Sequence, residues 1–338
     1  MLTFSELSPT EFADFVKAQV SNNFLQSPEM FARYRAIGKE AYLVGLRHAE
    51  TQSLRAAALV VCIYHGRGQK IFSTPGGPVL DYSAADHAET LAVLLANLKP
   101  FLKSKSASVL QLSPNVPFDA SLAALFEQHK CKNLGEHTQA KWISTLDLTQ
   151  FSTEDALFAS FRDTCRHSIR YSDTRFHLAT RELSRDELPV LKRLSDLAGK
   201  KHSFRPPSLS YFEEMFDAFG EHAKAVVAFS GDKPVSGALF ITYGSEVVYL
   251  YSGSDPAENK QCGSYAVQWY MLKFALENGY PTYNFYGTHP DKADGVFRFK
   301  SGFRAEVKEL LGTFMLPLNL PGRLYVSRKK YQKFSDVV

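Results

Sequence analysis

The chain has 338 residues, of which 45% are apolar and 22% are charged, and its formal net charge is +4. This length exceeds that of one ordinary domain and supplies apolar material for two cores, which excludes a disordered or fibrous chain. The small positive charge permits an anionic partner, such as RNA or a membrane surface, but does not require one.

The N-terminal residues, the hydropathy and the cysteines indicate the compartment. Residues 1–20 carry no unbroken apolar core of the kind found in a secretion signal, and no stretch approaches the roughly 18 apolar residues of a membrane span. The cysteines form no C-x-x-C pair, and three lie in apolar or helical runs, so we expect them to be reduced core residues: Cys62, Cys131, Cys165 and Cys262. We therefore expect a cytoplasmic monomer, at most peripheral to the inner face of the membrane.

The N-terminal region predicts a strand followed by two helices. Residues 2–7 favour a strand, and Ser8 with the proline after it is typical of a capped helix start, for a helix that runs to about Val20. A second helix opens within residues 24–29, and its polar face carries two arginines, Arg33 and Arg35.

The rest of the chain repeats one order of elements, a β-meander followed by a helix and a parallel strand. In the first half the strands are predicted at 41–46, 55–64 and 70–74, the helix at 84–102 and the last strand at 108–112. In the second half the strands are predicted at 225–229, 234–243 and 246–252, the helix at 264–278 and the last strand at 282–285.

This order is the core of the GCN5-related N-acetyltransferase fold. We predict an α/β architecture of the α+β kind, in which two tandem domains of this fold contain mixed β-sheets flanked by helices. The first domain is expected to comprise residues 1–150 and 317–338, because the prolines at 317 and 321 would carry the C-terminal tail back onto it. The second is expected to comprise residues 151–316.

A basic segment lies between the two halves. Residues 157–171 are predicted to form one helix with an apolar face and a second face that carries arginines at four-residue spacing: Arg162, Arg166 and Arg170. Two interpretations stay open, a solvated helix face or a phosphate contact to RNA or to another phosphorylated substrate.

A single lysine, Lys300, lies among the aromatic residues Phe297, Phe299 and Phe303. Burying an ammonium group costs several kcal/mol unless it is paired or its pKa falls. One interpretation is that the lysine stem covers the rings while its head stays in water. The other is that the buried cation serves a reaction, and the spacing alone does not decide between them.

Four segments together resemble the FemABX aminoacyltransferases: Phe24-Leu25-Gln26-Ser27, Asn284-Phe285-Tyr286-Gly287, Gly295 to Phe303, and Gly312-Thr313-Phe314. The resemblance implies transfer of an amino acid from aminoacyl-tRNA to the stem-peptide amine of a peptidoglycan precursor, either UDP-MurNAc-pentapeptide or lipid II. Aminoacyl-tRNA would be the co-substrate, and no cofactor or metal would be needed. Because the second half has no long Glu/Lys heptad, the chain resembles the compact, FemX-like branch that lacks a coiled-coil arm.

The same resemblance implies roles for individual residues. Lys300 would be the cation that stabilises the oxyanion of the transition state, and Phe299 would line the site. The phosphates of the precursor would be bound by arginines and tyrosines: Arg35, Arg205, Tyr211, Tyr249 and Tyr251. The alternatives are that Arg35 only covers its helix and that Tyr249 and Tyr251, expected on one side of a strand, are core residues.

Two other functions stay open. An acetyl-CoA N-acyltransferase of the same fold would need a phosphate-binding loop at the start of a helix, but residues 260–265 carry a lysine and a tyrosine in place of that loop's first and last residues. A non-catalytic protein that binds RNA or a membrane surface would use the arginines of residues 157–171, but it would have no use for Lys300.

Overall fold

The computed structural model describes residues 1–66, 69–133, 135 and 139–328. The chain divides into two compact units, a first unit of Met1–Lys141 with the described residues from Glu309 onward and a second unit of Trp142–Lys308. The chain therefore returns to the first unit at Glu309, ahead of the proline at 317, because the strand that contains this proline is already part of the first sheet.

The elements of both units follow each other in chain order. The first unit contains β1 (Leu2–Glu6), α1 (Pro9–Lys17), α2 (Pro28–Ala36), β2 (Ala41–His48), β3 (Leu54–Gly66), β4 (Gln69–Gly76), β5 (Val79–Leu80), α3 (His87–Ser104), β6 (Ala107–Pro114), α4 (Ala120–Gln128) and β7 (Lys132–Asn133). There follow β8 (Trp142–Asp147), α5 (Glu154–Ser160), α6 (Asp163–Thr174), β9 (Ala179–Glu182), α7 (Leu188–His202), α8 (Leu209–Phe219), β10 (Ala223–Ser230), β11 (Lys233–Tyr243), β12 (Glu246–Ser254), α9 (Gly263–Glu277), β13 (Thr282–Gly287), α10 (Gly295–Gly302) and β14 (Glu306–Glu309). The chain returns through β15 (Phe314–Pro317) and α11 (Leu320–Arg328).

The predicted order of elements is found in both units. In the first sheet the strand order is β1-β2-β3-β4-β6-β15-β7, and β4 and β6 are parallel. In the second sheet the order is β14-β8-β13-β12-β11-β10-β9, and β12 and β13 are parallel. The prediction of two mixed sheets flanked by helices is thus confirmed. Within the described residues, no helix combines the length and the hydropathy that a membrane crossing requires.

Local capping explains where the first two helices begin. The Ser8 hydroxyl accepts a hydrogen bond from the Glu11 backbone, and the Glu11 carboxylate accepts one in return from the Ser8 N–H, at 2.9 Å. The helix α1 ends at Lys17 rather than near Val20, because the chain turns directly after it. The helix α2 begins where the Ser27 hydroxyl accepts from the Met30 N–H at 3.1 Å.

Gln26 fills a gap between two strands of the first sheet. Its side-chain amide donates to the carbonyl oxygens of Leu59 on β3, at 3.2 Å, and Pro75 on β4, at 2.7 Å. Its side-chain oxygen accepts from the Leu59 N–H at 2.7 Å. The β3–β4 ladder itself begins only at Val61 and Ser73, so the buried Gln26 satisfies backbone groups that the ladder leaves free.

The returning C-terminal segment is packed tightly into the first unit. The ring of Phe314 on β15 stacks on Phe126 of α4, with 4.8 Å between the ring centroids. Gly322 of α11 lies so close to Ser108 that a Cβ atom on it would be 1.9 Å from the Ser108 carbonyl oxygen. Only glycine permits this approach of a helix to β6.

The basic segment does not form one helix, and that prediction is wrong. It contains α5 and α6, which are separated by Phe161 and Arg162 in extended conformations, with ψ of 158° and 149°. The buried Phe161 ring packs against Phe303 and Trp269, at 5.3 and 5.9 Å between centroids. This packing fixes the break. It lies ahead of the arginines, so Arg166 and Arg170 remain together on α6 and Arg162 directly precedes that helix.

All four cysteines are free, as expected of reduced residues. Cys131 and Cys165 are buried, whereas Cys62 and Cys262 are half-buried. The prediction that they are core residues therefore holds for two of them.

Candidate active site

Lys300 lies on α10, whose start is fixed by Asp294. The Asp294 carboxylate accepts from the Phe297 N–H at 2.7 Å, which caps the helix. Lys300 follows in the last turn of this helix and is only 4% exposed. The interpretation in which its head stays in water is wrong.

The ammonium group of Lys300 lies between two strands. Its Nζ donates to the carbonyl oxygens of Gly287 and of Tyr286, the latter at 3.5 Å, at the end of β13. Its Nζ is also 5.7 Å from the centre of the Tyr249 ring on β12, within the range of a cation–π contact. The group is therefore held by main-chain oxygens on one side and a ring on the other.

The parallel ladder of β12 and β13 ends just before this point. Its three rungs run from Glu246 and Thr282 to Val248 and Asn284. Beyond them β12 continues to Ser254, with no further rung to β13 within the described residues. Lys300 thus lies where the two strands are no longer paired with each other.

Burial lowers the pKa of Lys300 to about 7, although the nearby Asp294 carboxylate opposes this shift. Near neutral pH the charged and the neutral amine are therefore both populated. The charged form can donate hydrogen bonds to a developing oxyanion, and the neutral form can accept a proton.

Two phenylalanines flank Lys300 in the sequence, Phe299 before it and Phe303 at the end of α10, and they differ in burial. Phe299 is half-buried and contacts Tyr265 and Phe303, with 4.9 and 5.5 Å between the ring centroids. Phe303 is fully buried and belongs to the core, where it also contacts Phe285 at 5.1 Å. Phe299 is therefore accessible to a substrate, whereas Phe303 is a core residue against which the Phe299 ring packs.

Tyr249 and Tyr251 do not face the same side, and that expectation is wrong. The β11–β12 ladder contains a bulge, so that Leu239 pairs with Tyr251 while the next residue, Phe240, pairs with Tyr249. The side chains of successive residues in a strand point to opposite faces of the sheet, and each cross-strand partner lies on the same face as the residue it pairs with. Tyr249 consequently joins Phe240 and the lysine, whereas Tyr251 lies on the other face.

On that other face Tyr251 meets Tyr211. Their ring centroids are 5.3 Å apart, in an edge-to-face arrangement at the start of α8. Arg205 is exposed in the segment between α7 and α8, six residues before Tyr211. The structure thus brings Tyr211 and Tyr251 together, next to the segment that carries Arg205, and separates them from the face on which Tyr249 lies.

The remaining arginines have different environments. Arg35 is exposed in the last turn of α2, in the first unit. Arg166 donates to the carbonyl oxygens of Ala159, at 2.6 Å, and Phe161, at 3.0 Å, and also pairs with Asp163. Its guanidinium group therefore closes the end of α5.

The two neighbours of Arg166 on this segment differ from it. Arg170 is stacked on the ring of Phe158 at 5.0 Å. Arg162 precedes α6 with an exposed side chain. Of the three, Arg162 is thus the one best placed to meet a phosphate.

Sequence reasoning missed two residues next to the lysine site. Asn284 is buried and its side-chain amide donates to the Glu246 carboxylate at 2.9 Å. Burial raises the pKa of Glu246 to about 7, against the opposing effect of that hydrogen bond. The sequence did contain a signal for Glu246, a carboxylate at the start of an apolar strand. Because it follows a Gly-Ser turn, however, it resembled the ordinary polar end of a hairpin.

Fold and site together define a protein built from two GCN5-related N-acetyltransferase-like units with a buried lysine in the second. The chain belongs to the FemAB family, whose model matches residues 7–231 and 228–325. It is 24% identical to the aminoacyltransferase FemA of Staphylococcus epidermidis, over 98% of this chain and 100% of that protein. The chain is thus an aminoacyltransferase of this family.

That alignment extends over 423 positions, more than the 338 residues of this chain, so FemA contains segments with no counterpart here. Among solved structures, FemX superposes with a TM-score of 0.81 at 20% identity, over 96% of this chain and 99% of FemX. A tandem GNAT protein from the clavulanic acid biosynthesis pathway superposes with a TM-score of 0.59 at 10% identity, over 95% of this chain and 99% of that one. These structures show the fold, and they agree with a compact, FemX-like chain.

Proposed function

We propose that this protein transfers an amino acid from aminoacyl-tRNA to the stem-peptide lysine amine of a peptidoglycan precursor, in the synthesis of interpeptide bridges. The observation that carries the proposal is the buried Lys300, held at the point where β12 and β13 separate. Membership of the FemAB family supports it, as does the similarity to FemA along the whole chain. UDP-MurNAc-pentapeptide and lipid II are the two candidate acceptors.

The reaction forms an amide and breaks an ester. The neutral acceptor amine attacks the carbonyl carbon of the aminoacyl ester, and the tetrahedral intermediate carries negative charge on the former carbonyl oxygen. The ester C–O bond then breaks, and the ribose oxygen leaves as a hydroxyl, with a net transfer of the proton that the attacking amine loses. The Lys300 ammonium group, already desolvated, would stabilise that oxygen, a contribution of about 3–4 kcal/mol for a well-placed donor. No metal or bound cofactor is needed, because the ester is already activated.

The other residues receive roles from their positions. Phe299 would line the entry to the lysine and exclude water, because it is half-buried beside Tyr265. Arg205 with Tyr211 and Tyr251 would bind phosphate or sugar of a substrate on the opposite face of β12. Arg35 would bind precursor phosphate in the first unit, which we propose holds the precursor. We place the reaction in the cytoplasm, with lipid II reached at the inner face of the membrane.

The proposal is tested by transfer of radiolabel from a mixed pool of aminoacyl-tRNAs to UDP-MurNAc-pentapeptide, with and without the purified protein. RNase treatment and unlabelled acetyl-CoA serve as controls. We expect labelling that RNase abolishes, and the label identifies the amino acid. If the soluble precursor is not labelled, the same assay with lipid II in detergent follows. Failure of both acceptors, with consumption of acetyl-CoA, would overturn the proposal in favour of an ordinary N-acyltransferase.

A further inference from the structure

The end of β13 has an irregular backbone directly at the lysine site. The ladder between β13 and β8 shifts register between Asn284 and Tyr286, which leaves Phe285 as an extra residue of a β-bulge. Tyr286 has a φ of +60°, in the left-handed region that glycine adopts without strain and that a tyrosine rarely adopts. A bulge with such a residue changes the direction of the strand.

This bulge explains why two successive carbonyl oxygens can both bind the ammonium group of Lys300. In a regular strand two successive carbonyl groups point in opposite directions, so one ammonium group cannot donate hydrogen bonds to both. Here the carbonyl oxygens of Tyr286 and Gly287 both accept hydrogen bonds from the same Nζ. The left-handed turn at Tyr286 is what brings the two oxygens to one side.

A buried side chain holds that turn. The Asn284 side-chain oxygen accepts from the Tyr286 N–H at 2.8 Å, as in an Asx turn. Its amide nitrogen donates to the Glu246 carboxylate at 2.9 Å. Asn284 is only 6% exposed, and with both ends of its amide engaged its orientation is fixed. The contacts therefore run without interruption from Glu246 through Asn284 and Tyr286 to Lys300.

We infer that Asn284 and Glu246 are positioning residues, which keep Tyr286 in its left-handed conformation so that its carbonyl and that of Gly287 fix the ammonium group of Lys300. The inference rests on the proposed function, because Lys300 is the cation of that reaction. Neither positioning residue is expected to touch the substrate. Their loss should therefore change the rate of the chemical step and leave substrate binding almost intact.

The test compares Asn284→Ala with two double variants, Asn284→Ala/Tyr286→Gly and Asn284→Ala/Tyr286→Ala. Asn284→Ala should lower kcat about 10- to 100-fold with KM nearly unchanged, since a small misplacement of a catalytic group has effects of this size. The glycine double variant should recover most of kcat, because glycine adopts the left-handed conformation without help. The alanine double variant removes the same ring but should not recover. Equal kcat in the two double variants would overturn the inference.

A second measurement does not depend on transfer. Reductive methylation of Lys300, followed by mass spectrometry, should be faster in Asn284→Ala than in the natural protein, because an amine that has lost its two acceptors is less protonated or more accessible. Glu246→Leu should behave in the same way, whereas Glu246→Gln keeps an acceptor oxygen and should resemble the natural protein. Unchanged methylation in both Asn284→Ala and Glu246→Leu would overturn the inference. If methylation changes as expected but the natural protein transfers no amino acid, the positioning stands and the proposed function fails.

Discussion

The backbone N–H of Arg162 donates to the carbonyl oxygen of Gly302 at 2.9 Å. This bond joins the start of α6 to the end of α10, the helix that carries Lys300. The side chain of Cys165 also lies against Gly302, 3.3 Å from the place where a Cβ atom would be. The residues at and after the break between α5 and α6 thus hold the end of α10 in place. The segment therefore has a structural role in addition to any contact with RNA.

Replacing Lys300 by methionine should abolish transfer. Methionine keeps the length and the apolar stem but provides no cation, so we expect kcat to fall at least 10²-fold, the usual effect of losing an oxyanion donor. Precursor binding, measured by calorimetry, should be almost unchanged. Lys308→Met, at an exposed position of β14, is the matched control. Normal turnover of the Lys300 variant would remove this residue from the mechanism.

Lys300 should make a contribution to the stability of the protein that rises with pH above neutrality. Burial lowers the pKa of Lys300 from 10.5 to about 7, so between these values the folded protein binds fewer protons than the unfolded chain. The cost of burying the charge is present in full below pH 7 and disappears as the pH rises towards 10.5, by up to about 1.4 kcal/mol per pH unit. Urea unfolding at several pH values measures this slope. Lys300→Met should flatten it, and an unchanged slope in the variant would assign the effect to other groups.

Arg205→Ala should raise the dissociation constant of the precursor. The side chain is exposed in the segment that leads into α8, six residues before Tyr211, and a charge-assisted hydrogen bond to phosphate contributes about 1.5–3 kcal/mol. We therefore expect binding to weaken at least about 10-fold. Lys201→Ala, exposed near the end of α7, is the control. Equal affinity for both variants would place the phosphate site elsewhere.

Variants of Arg162 and Arg166 should distinguish an effect on stability from an effect on RNA binding. Arg166→Ala leaves the carbonyl oxygens of Ala159 and Phe161 without this donor, so we expect a loss of about 1–2 kcal/mol in the free energy of unfolding. Arg162→Ala should leave that quantity unchanged and make the KM for aminoacyl-tRNA less dependent on salt. An unaltered salt dependence in Arg162→Ala would indicate that the exposed arginine is only solvated.

Gln26→Leu should destabilise the first unit. Leucine has a similar volume, but it leaves the N–H and carbonyl groups of Leu59 and the carbonyl group of Pro75 buried without their partner. Each such group costs about 1–3 kcal/mol, so for the three together we expect a loss of about 3–9 kcal/mol in the free energy of unfolding. Gln128→Leu, at the exposed end of α4, is the control. A change below 1 kcal/mol in Gln26→Leu would show that water replaces the amide.

The order of strands and helices could be predicted from the sequence because hydrophobic periodicity and capping residues are local. Ser8 and Ser27 cap helices as their sequence context indicates. The break at Phe161 could not be predicted in this way. Its ring is drawn into a core formed by Phe303 and Trp269, which are distant in sequence, and tertiary packing overrides helical periodicity there.

The geometry of the candidate site could likewise be predicted only in part. Lys300 and Phe299 stood out as a cation among rings, but the spacing did not show whether the ammonium group was buried. The faces of Tyr249 and Tyr251 depend on a single extra residue in β12, which alternation cannot reveal. The role of Asn284 depends on the left-handed backbone at Tyr286, a conformation for which tyrosine gives no signal.

The position of β15 has a consequence for how the protein is made. This strand lies between β6 and β7, and it is separated from both in the sequence by the whole second unit. During synthesis the first sheet therefore lacks an inner strand until the ribosome has completed the second unit, which is free to fold earlier as a continuous segment. Nascent chains that stop before residue 314 would expose the edge of β6, and such an edge invites pairing with other chains.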